Sequence, residues 1–180
     1  MPAKSRGRDV QTFEVRGPLT VPTYEGKAAK IVDSERLGDF WATSGGLGER
    51  RGCYVFAIRA SRGIRPIYVG RATKTFKQEV FAPHKLEKYQ RCLADVGKGT
   101  PVLFLLASQA KVGKPNLKAI RELEDYLIQT AVSRNPNLLN VKGTERENWS
   151  ITGVIRGSVG KPSKGAIDFK RTLGILHKLG

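Results

Sequence analysis

The chain has 180 residues, two cysteines, and 32 Lys plus Arg against 16 Asp plus Glu, a formal net charge of +16 with a pI near 10.2. That length suffices for one domain with extensions that buries its own core, without a disulfide scaffold. Cys53 and Cys92 lie in apolar or amphipathic runs rather than in a Cys-x-x-Cys pair, which excludes a zinc ribbon or dithiol motif and fits a reducing setting.

No apolar stretch follows the basic N-terminal residues and no run of eighteen apolar residues occurs, so the chain reads as soluble, cytoplasmic and without a membrane partner. The charge points to a polyanion. Its excess is +2 over residues 1–51, +9 over 52–140 and +5 over 141–180, so it lies in the middle and the tail.

In chain order, residues 12–32 alternate apolar and polar side chains between Gly and Pro, as short strands or extended segments do. Ser34 is placed to cap a short helix over ERLGDFW, and the glycine cluster TSGGLGERRG then delivers the chain to a new unit. CYVFAIR (53–59) and PIYV (66–69) are rich in β-branched and aromatic residues, and ASRGIR supplies the turn of an antiparallel hairpin. The period then changes: a turn or two of helix around Phe76–Phe81, a break at Pro83, and an amphipathic helix with apolar positions 86, 89, 93 and 96. PVLFLLA (101–107) is continuous and apolar, a central strand that pairs with the hairpin to make a sheet of three strands. A second helix, NLKAIRELEDYLIQTA, opens on an Asn116 cap with apolar residues at 117, 120, 123, 127, 128 and 131. After Asn140 the chain is basic and glycine-rich and ends in a helical pattern, AIDFKRTLGILHKL.

The order strand, turn, strand, helix, strand, helix, with Gly52-Cys53-Tyr54 opening one strand and Tyr68-Val69-Gly70 closing the next, resembles the GIY-YIG nuclease family. Glu124 in LEDYLI and Asn140 in NLLN stand in the order of that family's later glutamate and asparagine. The resemblance covers about residues 52–142. It implies an α+β fold, a small three-stranded antiparallel sheet flanked by helices, divided as an N-terminal extension (1–50), a nuclease core (51–142) and a basic C-terminal extension with a helix (143–180). It also implies a divalent-metal-dependent endonuclease that hydrolyses DNA phosphodiester bonds, with Tyr54 as general base and Tyr68 as its neighbour.

Phosphodiester hydrolysis needs an activated water, positive charge on the transition state and a stabilised leaving oxygen. Glu124 lies one turn after Ile120 and one before Ile128, on the sheet-facing side of its helix, where a carboxylate needs a partner: either Mg²⁺ or Mn²⁺, or a basic neighbour such as Arg121 or Arg71. An adjacent cation would lower a tyrosine pKa towards general-base function. Gly70, without a side chain, would let substrate backbone approach, with Arg71 on phosphate. The family's arginine on the first helix has no counterpart in FKQEVF, which leaves Lys77, Arg71, Lys85 or the metal to meet transition-state charge. His84 stands near where some members carry a nucleophile-activating histidine or tyrosine, and Asn140 is expected to hold the site by side-chain hydrogen bonds.

Arg71, Lys74, Lys77, Lys85, Arg156, Lys161, Lys164, Lys170 and Arg171 are the candidate phosphate contacts. DNA is expected ahead of RNA, and with one site per chain, nicking or cleavage by a homodimer are equally reasonable. Two other readings stay open: an inactive nucleic-acid-binding module on the same fold, and a basic RNA-associated structural protein.

Overall fold

The structure is a computed structural model that describes residues 11–109, 115–140, 142, 151 and 161–172. The chain forms two compact units, residues 1–144 and 145–180. Among the described residues, no helix is long and apolar enough to cross a membrane.

The first unit is an α+β domain built on a four-stranded antiparallel sheet. Its strands are β1 (Phe13–Thr20), β4 (Gly52–Ala60), β5 (Gly63–Ala72) and β6 (Thr100–Ser108), in the order β1-β6-β4-β5. A separate two-stranded ribbon joins β2 (Thr23–Glu25) to β3 (Lys30–Val32). The expectation of three strands is thus one short. β1 hydrogen-bonds along the free side of β6, from Phe13 opposite Ser108 to Thr20 opposite Val102, so residues placed in an N-terminal extension belong to the sheet. Gly17-Pro18 interrupts the β1 pattern in the sequence, and the strand absorbs it as a register shift between Arg16 and Leu19.

Period 2 divides the side chains of the hairpin between two faces. Tyr54, Phe56 and Ile58 of β4, with Leu103 and Leu105 of β6, face a core closed by α2 (Phe76–Glu79) and α3 (Pro83–Val96). Phe56 stacks on Tyr89 of α3 at 4.0 Å between ring centroids, with the planes 7° apart. Trp41 of α1 (Leu37–Ala42) packs on Phe81 at the margin of this core. Val55 and Val69 face the other way, onto Ile128, Ala131 and Val132 of α4 (Leu117–Arg134). The sheet is therefore covered on both sides, which is why β6 reads as a continuous apolar run.

Local signals account for the helix ends. Asn116 caps α4 through its side chain, which accepts from the Ala119 amide at 3.0 Å. Pro83 does not break a helix but begins one, in the first turn of α3, where its missing N–H costs nothing. Among the described residues α1 has no side-chain cap, from Ser34 or any other residue; Asp33 Oδ1 instead accepts from the amides of Glu35 and Arg36 in the turn before it.

β5 is an edge strand, with a row of backbone groups on its outer side that need covering. The segment after α4 supplies the cover. Asn135 Nδ2 donates to Pro66 O at 2.7 Å, the Leu139 amide donates to Ile67 O at 2.9 Å, and Asn140 closes both backbone groups of Val69. In the second unit, α5 (Lys164–Thr172) forms within the stretch expected to be helical, and Ser163 Oγ accepts from the Ala166 amide.

Candidate functional site

An open cleft of about 360 Å³ lies on the outer side of β5, lined by Tyr68, Arg71, Lys88, Glu124, Asp125, Ile128, Asn140 and Lys142. Four of the residues singled out in the sequence therefore meet there, from a strand, a helix and the segment beyond it. Arg71 and Glu124, 53 residues apart, join at 2.5 Å between the guanidinium and Oε2.

Glu124 reaches this position because α4 lies with Ile120 against Cys53, whose thiol donates to Ile120 O at 3.2 Å, and the next turn brings Glu124 beside Arg71. The carboxylate side chain is only 15% exposed. Burial lifts its pKa above the ordinary carboxylate value, and the Arg71 guanidinium opposes that rise without cancelling it. Of the two basic neighbours considered from the sequence, Arg71 pairs with Glu124, and Arg121 is exposed.

Asn140 takes the place of a neighbouring strand. Its Oδ1 accepts from the Val69 amide at 2.9 Å and its Nδ2 donates to Val69 O at 2.7 Å. Asn140→Ala is expected to cost about 1–3 kcal/mol, because Val69 is left with an amide and a carbonyl in a part-buried place without partners. Chemical denaturation checks this, and Asn140→Asp, which can accept but not donate, should recover part of the loss.

The two tyrosines separate in role. Tyr68 lies on the cleft, half-buried; burial first, then the nearby Glu124 carboxylate, raises its phenol pKa. Tyr54 is fully buried, its hydroxyl without a hydrogen-bond partner among the described residues, and burial together with the phenols of Tyr89 and Tyr68 pushes its pKa well up. The lowering expected of a catalytic base does not occur: burial, the neighbouring phenols and the Glu79 carboxylate all act in the raising direction. Lys85 lies over the ring instead, its ammonium 5.0 Å from the Tyr54 ring centroid. One turn on, Lys88 covers Tyr68 at 5.4 Å, so the two lysines of α3 match the two tyrosines of the hairpin.

Gly70 also departs from its expected use. A Cβ there would stand 2.4 Å from Cζ and Oη of Tyr54, its cross-strand partner, so the space left by the missing side chain is filled by the tyrosine ring and not by substrate.

Lys85 is buried, and burial lowers its pKa against the pull of the Glu79 and Glu124 carboxylates. Lys74, Lys77 and His84 are exposed and are not among the cleft-lining residues. Where the resemblance expects an arginine, α2 carries Glu79, whose Oε1 accepts from the Thr73 and Lys74 amides at 2.7 and 2.6 Å and so fixes the loop after β5. Lys161 and Lys164 are exposed in the second unit, where Lys170 and Arg171 lie on α5. Arg156 is outside the described residues.

Lys88, Asp125 and Lys142 line the cleft without having been singled out. Lys88 was legible as the residue one turn from Lys85 on the same amphipathic helix, and Asp125 as the neighbour of Glu124. Lys142 follows Asn140 but carries no pattern of its own. Among the described residues no three His, Cys, Asp or Glu side chains converge. The donor set, Glu124 with Asp125 on the same cleft, suits a hard cation held through one protein carboxylate and otherwise by water and phosphate.

No family model matches the chain, and no significant match is found among curated proteins or solved structures.

Proposed function

We propose that the cleft binds and hydrolyses a phosphodiester of nucleic acid, DNA ahead of RNA, and that residues 52–142 form a nuclease core of GIY-YIG type. The observation that carries this reading is the meeting of Tyr68, Arg71, Glu124 and Asn140 in one open cleft rimmed by Lys88 and Lys142, in a chain of net charge +16.

In this reading Arg71, Lys88 and Lys142 seat the phosphate, the arginine through its planar fork and the lysines as point charges. Glu124, with Asp125 beside it, holds a divalent cation, Mg²⁺ or Mn²⁺, which when bound supplies positive charge to the phosphorane-like transition state and acidifies water. Tyr68, the phenol on the cleft, hydrogen-bonds and orients the attacking water. Tyr54 supports the Tyr68 ring from behind, at 6.2 Å between centroids. Asn140 fixes the backbone of β5 between Tyr68 and Arg71. Water adds to phosphorus as it gives up a proton to solvent, the bond to the leaving oxygen breaks, and solvent reprotonates that oxygen.

Cleavage of supercoiled plasmid by the purified chain with Mg²⁺ or Mn²⁺, beside an EDTA control, tests the reading. Metal-dependent nicking is the expected result. Binding without cleavage under any metal would replace it by the second reading, an inactive nucleic-acid-binding module, which is favoured by one observation: Arg71 already occupies an oxygen of Glu124.

The raised pKa of Glu124 gives a sign to the pH dependence. A carboxylate that must be ionised loses activity as pH falls through its own pKa, so the acid limb of cleavage should lie above the ordinary value of 4.5. Arg71 holds that pKa down, so in Arg71→Met the limb should move further towards neutral pH, whatever the drop in rate. A limb that stays in place or moves to lower pH would remove Glu124 as the titrating group.

A further inference from the structure

Residues 50–78 contain eight Lys or Arg and no Asp or Glu, half of the chain's net charge of +16. Three of these, Arg59, Arg62 and Arg65, sit at the end of the β4–β5 hairpin, where residues 59–65 are all exposed. None of the three forms an ion pair with a described residue.

We propose that this hairpin end is a second phosphate-contacting surface, which holds duplex DNA at a distance from the cleft; the proposal rests on the nuclease reading above and extends its footprint. Arg59 pairs with Ile64 and Arg65 with Ile58, and paired residues share a face. Because Arg59 and Ile58 are neighbours on β4, Arg59 and Arg65 project from opposite faces of the ribbon, with Arg62 in the turn between. Guanidiniums on both faces suit the two phosphate strands that border a groove, whereas a single strand meets one face.

The spacing supports a stiff partner. From Arg65 to Arg71 the strand covers about 20 Å at about 3.3 Å per residue, and that is about six base pairs of B-form DNA. A duplex stays straight over such a span, so a phosphate in the cleft and phosphates at the hairpin end are engaged together without bending work. The contact is electrostatic and indifferent to sequence.

The test is binding to a 30-base-pair duplex, read by fluorescence anisotropy in EDTA across a salt series, for wild type, Arg59→Gln/Arg62→Gln/Arg65→Gln, and a charge-matched control, Lys27→Gln/Arg36→Gln/Lys118→Gln. The hairpin variant should lose about 10- to 100-fold in affinity near 0.1 M salt, and its log–log salt slope should fall by up to about 2.7, about 0.9 for each phosphate contact removed. Arg62→Gln alone, in the turn and outside the strand pairing, should lower the slope by about 0.9 and guards against a folding defect in the triple variant. A hairpin variant that behaves as the control overturns the proposal while leaving the nuclease reading in place. An equal loss on a 30-nucleotide single strand overturns the duplex as partner. Wild type that fails to bind DNA at low salt overturns both.

Discussion

Glu124→Gln is expected to reduce metal-dependent cleavage by about 100-fold or more while leaving the fold intact and metal-free DNA binding equal or tighter. Glutamine keeps the shape of the side chain and an oxygen for Arg71, so the contact between α4 and β5 survives in neutral form. What disappears is the negative charge that would hold a cation and that now offsets Arg71, Lys88 and Lys142 around the cleft. If Glu124 served only as the counter-ion of Arg71, the opposite pattern should appear: lower stability and unchanged cleavage. Plasmid cleavage, thermal unfolding and anisotropy on the same preparation separate the two, and retention of wild-type cleavage would end the catalytic assignment.

How much of this was legible in the sequence follows from which contacts are set by period and which by packing. The strand period of CYVFAIR and PIYV and the helix period around Ile120 and Ile128 put Arg71 and Glu124 on facing sides of one layer, but pattern left Arg121 and a metal as partners equally, and it is the packing of Ile120 on Cys53 that brings Arg71 to Glu124. Asn140 was found by its order after Glu124, and its pairing with Val69 depends on β5 being an edge, which in turn depends on β1 taking the other edge. β1 itself was obscured because Gly17-Pro18 imitates a break, and only the backbone of β6 shows that the strand continues past it. The burial of Tyr54 is a packing result: nothing in Gly-x-Tyr says that the ring crosses to fill the place of a side chain at Gly70. Lys85 and Lys88 look alike in sequence, yet one is buried over Tyr54 and the other lines the cleft, since Lys88 sits a turn further along α3 and about 60° round it, over Tyr68.

Gly52→Ala should be the most damaging single methyl group in the domain, costing about 3 kcal/mol or more, equivalent to a fall of about 6–12 °C in Tm for a domain of this size. Gly52 has φ +147°, and a Cβ there would stand 1.9 Å from Leu106 O, a backbone atom of the neighbouring β6 that cannot turn aside. Gly70→Ala meets a different obstacle, the Tyr54 ring, and should cost about 1–3 kcal/mol as an overpacked site. The two differ in how they can be relieved. Tyr54→Leu makes room beside residue 70, so Gly70→Ala should cost less in that background than in wild type, a coupling that a double-mutant cycle measures; no side-chain change makes room at Gly52. A Gly70→Ala penalty unchanged by Tyr54→Leu would mean that the clash is not with the ring. The two glycines that bracket the hairpin's tyrosines thus have separate structural reasons. One lets β4 lie close against β6, and the other lets Tyr54 lie across β5, so the spacing that resembles a nuclease signature has packing reasons of its own and leaves Tyr68 as the hairpin tyrosine that lines the cleft.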